Sequence, residues 1–518
     1  MRHRWSIASA DKTGVLSQRD GVVSVFISFF VAVLISSGFA LSSDSFQHWF
    51  LIPVVLCGAL AGIDAVDWFR GRVQPFDPAG LLGVYCTFAL FLAPLLHVAW
   101  DFWMYEVPPP PDWRDWLGYM ALLNVAGLLA YRISRTVFSR LMSVRYRGST
   151  WRPSPEMFRV VSAVVLCATA ALQASVYIQK GGITGYIEEF HKDSVAQGSF
   201  AGMGWIFMFS ESFPILAAFV FIIYASRRPR KPGWFTLGLL LVILFVLQML
   251  FGGLRGSRLN TVISLFWVVG TIHFFLRPVP KRVLFAGIVI LIVFLQVYAF
   301  YKANADVTAA FEGSEERERL SSKTGYTMHS VILTDLGRAD VQAYMLYKLV
   351  TDSKDFTYAR GRTYLFAASL LIPRWILPER PNSKLKEGTE FQWGPGSYEP
   401  GLVESRRVYG LAGEAMLNFS PLSVPFAFAL FGFLVAQMRA WIRALDPCDL
   451  RLLLAPLGIY LCFCGLNMDA EIILFIAVKN GLMPTLFIMT IATRLRSTRF
   501  APHSVRLVPL AGLRNQDF

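Results

Sequence analysis

The sequence predicts an all-α polytopic membrane protein of about twelve transmembrane helices carrying one large extramembrane loop. Three observations predict it. The 518 residues are 55% hydrophobic and 14% aromatic but only 16% charged, against roughly 25% charged in soluble domains. Mean hydropathy is +0.48. Several apolar runs approach the roughly 20 residues needed to cross a bilayer, and a single long stretch, 303–413, is too polar to be buried in one.

Taken in order, the apolar runs lie near 21–41, 49–66, 78–99, 115–131, 158–178, 204–226, 234–251, 260–276, 283–302, 420–438, 452–467 and 471–493. Three regions follow: 1–302 with helices one to nine, 303–413 as the large loop, and 414–518 with helices ten to twelve and a tail. The run from Gly21 to Leu41 is long enough to span, so the expectation is an uncleaved first helix rather than a cleaved leader. With the N-terminus placed in the cytoplasm, cytoplasmic segments hold 27 Lys and Arg and the short opposite loops hold 5. Cytoplasmic loops are enriched in these residues, so both termini are expected inside and 303–413 outside. The net charge of +14 has the same origin, and no nucleic-acid partner is expected.

Within the large loop, Val341, Tyr344, Met345 and Leu349 recur at helical spacing. They predict an amphipathic helix over 333–350 lying on the membrane or on the bundle. The apolar piece 364–377 is 14 residues long and contains Pro373 and Arg374. It is too short to cross, and crossing would place the basic residues after it outside, so a re-entrant or interfacial segment is expected. The six cysteines show no disulfide framework and no zinc spacing. No nucleotide-binding or metalloprotease motif is present, and no metal or cofactor is expected.

Three stretches could carry chemistry. In GGLRGSR (252–258), Arg255 and Arg258 stand three apart at the start of a span. Free helix N–H groups and two guanidiniums suit a phosphate or diphosphate; pairing with lipid headgroups or loop carboxylates is the alternative. In IPRWILPERP (372–381), Arg374 in an apolar run needs a partner, or snorkels beside Trp375. In ESRRVYGLAGEAMLNFS (404–420), Arg406, Arg407 and Tyr409 precede Glu414. Burial raises such a carboxylate's pKa and nearby Arg lowers it, so Glu414 is a candidate general base or, more simply, a helix-start carboxylate. Trp393 and Tyr398 are candidate sugar platforms. His329, Asp340, Asp469 and Glu471 are weaker candidates, and Lys479 within a span has no evident role.

The order RGSR (255–258), IPR…PERP, then YG-x-x-GE-x-x-x-NF (Tyr409 to Phe419) resembles the oligosaccharide repeat-unit polymerases of the Wzy type, over roughly 235–495. The resemblance implies a GT-C-like glycosyltransferase of the bacterial inner membrane with the large loop in the periplasm. It implies substrates linked to undecaprenyl diphosphate, polymerised into O-antigen or exopolysaccharide without a metal, with flippase and chain-length regulator proteins as partners. In such an enzyme Arg255, Arg258, Arg374, Arg406 and Arg407 would hold the diphosphate, Glu414 would be the base, and Trp393, Tyr398 and Tyr409 would contact glycan. The rival readings are an O-antigen ligase, a lipid-linked oligosaccharide flippase and a non-catalytic scaffold.

Overall fold

The computed structural model describes residues 14–105, 107–142, 149–196, 203–256, 258–302, 327–352, 356–373, 375–447 and 449–495. Arg374 and the polar stretch 304–325 lie outside the described residues. Among those described, eleven helices are long and apolar enough to cross a membrane, and the chain is a multi-pass membrane protein. The expected run 452–467 forms a helix of only 13 residues, Ala455–Asn467, about 20 Å long. The difference from twelve full spans is this one element.

The first half comprises α1 (Gly14–Ser42), α2 (Leu51–Phe69), α3 (Pro78–Thr87), α4 (Ala93–Ala99), α5 (Trp113–Met142), β1 (Thr150–Pro153) and α6 (Pro155–Gln179). A π-helical turn, Phe88–Leu92, joins α3 to α4. Pro94, which has no N–H to donate, stands just beyond it. Then come α7 (Gly182–Ala196), α8 (Gly204–Ser210), α9 (Phe213–Arg227), α10 (Trp234–Phe251), α11 (Arg258–Phe275) and α12 (Lys281–Lys302). α8 and α9 form one span interrupted at Glu211 and Ser212, next to Pro214. The last part holds α13 (Ala339–Thr351), α14 (Arg362–Ser369), α15 (Lys384–Trp393), α16 (Gly410–Phe419), α17 (Val424–Ala444), α18 (Ala455–Asn467), α19 (Ala470–Ile491) and β2 (Ala492–Leu495).

Two apolar cores build the bundle. One joins α2, α3, α5, α13, α16 and α17; the other joins α9, α10, α11, α18 and α19. Small residues set the closest approach: a Cβ on Gly432 of α17 would stand 2.5 Å from the Tyr131 carbonyl oxygen of α5, the kind of contact by which helices pack in lipid. β1 and β2 pair antiparallel, Thr150 opposite Leu495 and Pro153 opposite Ala492, and mark one end of the bundle. At the other end, described residues of the large loop meet the bundle, Thr363 at Glu414 and Lys384 at Asp469.

The amphipathic helix expected over 333–350 is α13, preceded by a π-helical stretch, Val331–Gly337. Of the two expected placements it takes the one on the bundle. Val341, Met345, Leu346 and Leu349 are buried in the first core together with Leu117 and Met120 of α5. The apolar piece 364–377 forms no spanning helix: α14 ends at Ser369, and Leu371, Ile372, Trp375 and Ile376 are exposed.

Candidate functional site

The loop end of α19 carries a buried polar cluster that includes Glu414 and Asp469. α16 enters through Gly410, whose φ is 67° and whose Cβ would lie 2.9 Å from the Leu466 carbonyl oxygen. Both facts require glycine. The backbone N–H groups of Tyr409 and Gly410 donate to Asp469 Oδ1 at 2.9 and 3.0 Å. One turn on, Glu414 is only 3% exposed. Its Oε2 accepts the Ala470 N–H at 2.7 Å, and its Oε1 accepts the Thr363 hydroxyl at 2.7 Å.

Thr363 is held in turn by Asn418, whose Nδ2 donates to the Thr363 hydroxyl oxygen at 2.8 Å and to the Glu414 carbonyl oxygen at 2.8 Å. Asn418 Oδ1 accepts the Gly361 N–H at 2.9 Å. Lys384, at the start of α15, reaches Asp469 Oδ2 at 3.1 Å and lies 4.0 Å above the Tyr409 ring. Arg362 grips Glu387 with two bonds of 2.8 and 3.1 Å.

Burial, and then the charge of Asp469, push the Glu414 carboxyl up from 4.5 to about 7. The Ala470 N–H, the Thr363 hydroxyl and Lys384 oppose that rise. A carboxyl poised near neutrality in a water-poor site is suited to taking a proton from a hydroxyl.

The remaining expected residues are dispersed. Arg406 is 73% exposed in its side chain and pairs with Glu404 at 3.1 Å. Arg407 donates to the Tyr105 carbonyl oxygen. Trp393 is exposed and Tyr398 half-buried. Tyr409 is buried, with Lys384 over its ring and its hydroxyl on the Gly388 carbonyl oxygen at 3.1 Å. Expected to contact glycan, its ring is instead covered in this structure. His329 lies against Trp100, the two rings tilted with centroids 4.5 Å apart. Asp340 is buried against Thr334, 3.0 Å away, with His97 at 3.9 Å.

Arg255 occupies a second cluster. It pairs with Glu211 and lies 3.9 Å over the Phe207 ring. Lys479 reaches the other Glu211 oxygen at 2.8 Å, as does Asn260 Nδ2 at 2.6 Å. Lys479 is thereby explained as a partner of Glu211. Arg258 opens α11 three residues after Arg255. From Ala470, beside Glu414, to Lys479 is nine residues of α19, about 13 Å of rise. The two clusters are therefore distinct.

Sequence reasoning missed Thr363, Asn418, Lys384 and Glu211. Only Glu211 left a signal: a lone acid and a lone base, Glu211 and Lys479, each inside an apolar run, should pair. No family model, curated protein or solved structure matches this chain.

Proposed function

We propose that this chain is a glycosyltransferase that polymerises polyprenyl-diphosphate-linked oligosaccharide repeat units at the outer face of a bacterial inner membrane. The observation that carries the proposal is Glu414: a buried carboxyl raised to about 7, at the loop end of the bundle, hydrogen-bonded to a threonine and to a helix N-terminus. The charge asymmetry of the loops supports an external position for that end.

In the proposed reaction the terminal hydroxyl of a new repeat unit loses its proton to Glu414. Its oxygen forms a bond to the anomeric carbon of the growing chain, and the bond from that carbon to the donor diphosphate breaks. The diphosphate leaves with the electron pair, so it requires cations rather than an acid. Lys384, whose charge acts on Glu414, and Arg362, next to Thr363 in the chain, are the cations assigned to it, released from Asp469 and Glu387 as the diphosphate approaches. Exposed Trp393 offers a face for sugar.

The glycan ladder of a strain lacking this protein tests the proposal. Single repeat units with no longer chains are expected. Unchanged long chains, or lipid-linked units trapped in the cytoplasm, overturn it, the latter in favour of a flippase.

A further inference from the structure

We propose that Arg255, Lys479 and Asn260 form a second phosphate site, which binds the diphosphate of the acceptor lipid while the acceptor's far hydroxyl lies at Glu414. The inference rests on the polymerase reading. Its geometric basis is the convergence of three donors on one carboxylate: Arg255 on Oε1 of Glu211, and Lys479 and Asn260 on Oε2 at 2.8 and 2.6 Å. A guanidinium, an ammonium and an amide arranged around an oxyanion also suit phosphate oxygens. Glu211 stands where such an anion would bind.

Charge points the same way. Among the described residues two cations share the Glu211 carboxylate, so that group carries a net positive charge in a largely buried setting, where an uncompensated ion is costly. Donor capacity is also unused: among the described residues, Arg255 Nε and the Ser210 hydroxyl are buried without hydrogen-bond partners. Glu211 sits at the break between α8 and α9, where backbone can shift, and Gly252 leaves the space beside it. A Cβ there would stand 3.2 Å from the Glu211 carboxyl carbon.

Depth places the cluster at a lipid headgroup. Glu211 is 16 residues from Arg227, which bonds the Pro153 carbonyl oxygen at the sheet end. That is about 24 Å of helical rise, near the far boundary of a hydrocarbon core of about 30 Å. Ala470, which bonds Glu414, stands roughly 13 Å further out along α19, so the donor's diphosphate must be drawn out of the headgroup layer to reach Glu414. A leaving diphosphate would have to lie next to the attacked carbon, and reacting atoms approach within about 3.5 Å. With Glu414 as the base, the Arg255 cluster is too distant for that role. An acceptor has its reactive hydroxyl and its diphosphate at opposite ends of an oligosaccharide, so it can bridge the two clusters.

The test measures binding of radiolabelled farnesyl diphosphate to the full-length protein in phosphatidylcholine nanodiscs, alongside polymerisation kinetics. Lys479→Met and Arg255→Met should each weaken binding about ten- to a hundredfold and raise the KM for acceptor. Gly252→Ala, which leaves every charge in place, should press Glu211 outward and change binding without loss of folding. Glu414→Gln should bind the probe as wild type does. Wild-type binding by both Met variants overturns the site, as does displacement of the probe by phosphatidylglycerol or equal affinity for inorganic pyrophosphate. If Glu414→Gln still polymerises while the Met variants lose binding, the catalytic reading fails and the phosphate site stands.

Discussion

Glu414 and Asp469 each cap the helix that carries the other. Asp469, at the start of α19, accepts the first N–H groups of α16 at 2.9 and 3.0 Å. Glu414, on α16, accepts the first N–H of α19 at 2.7 Å. Two carboxylates are thereby fixed in one buried cluster with Lys384 as their nearest cation. Helix starts favour negative charge, yet burial and mutual repulsion leave Glu414 near neutrality.

That position has a consequence for stability. The folded carboxyl titrates at about 7 rather than 4.5, so the folded state binds more protons between these values. Stability should fall as pH rises from about 4.5 to about 7 and level off above, by a total on the order of 3 kcal/mol. Glu414→Gln removes the titrating group. It should flatten this slope in thermal unfolding, insert normally, and make only single repeat units. Long chains at wild-type density would make Glu414 structural and send the search for the base to Asp340, His329 or Asp469.

Thr363 separates catalysis from packing. Its hydroxyl donates to Glu414 and accepts from Asn418. Thr363→Val keeps the shape but leaves both groups buried without that partner, at a cost of about 1–3 kcal/mol each. Thr363→Ser should restore both stability and chain length. A Val variant as stable and active as wild type would show that water replaces the hydroxyl and that the side chain does not orient Glu414.

The sequence displayed the bundle because hydrocarbon imposes long apolar runs, and eleven of the twelve expected spans need no more than that. It displayed Glu414 through the glycines around it, since Gly410 is demanded by a positive φ and a close carbonyl. It could not display Lys384 or Thr363. Both come from the large loop, 85 and 106 residues before Asp469 in the chain, and their roles arise only when α14 and α15 fold back onto the start of α19. For α13 the spacing left two placements, on the membrane or on the bundle, because an apolar stripe does not say what covers it; the helix packs on the bundle, and its other face is not in water. Here that face meets the interior polar groups of the bundle, with Asp340 against Thr334 and Gln342 Nε2 on the Tyr409 carbonyl oxygen.

Orientation is testable without activity. Cysteines placed at Gly394, in the large loop, and at Gly233, between α9 and α10, should react oppositely with a membrane-impermeant maleimide in intact cells. Gly394→Cys should label and Gly233→Cys should not, because positive charge gathers on the cytoplasmic side. The reverse pattern would place Glu414 in the cytoplasm and remove the basis for an external polymerase.

Lys384 and Asp469 supply the sharpest test, because their removal should move Glu414 in opposite directions. Lys384 is the ion partner of Asp469 at 3.1 Å, both nearly fully buried. Breaking a buried pair by deleting one member costs roughly 3–5 kcal/mol, whereas deleting both members can be nearly neutral. Lys384→Met and Asp469→Asn should therefore each destabilise the protein, and the double variant should recover most of the loss in a thermal-unfolding cycle. The effect on Glu414 is separable. Asp469 raises its pKa by like charge and Lys384 lowers it. Asp469→Asn should shift the acid limb of the rate profile to lower pH, since Glu414 then ionises more readily. Lys384→Met should shift it to higher pH. A base held elsewhere has no reason to respond with opposite signs, so parallel shifts, or none in either variant, would dissociate Glu414 from proton transfer even if the stability cycle behaves as expected.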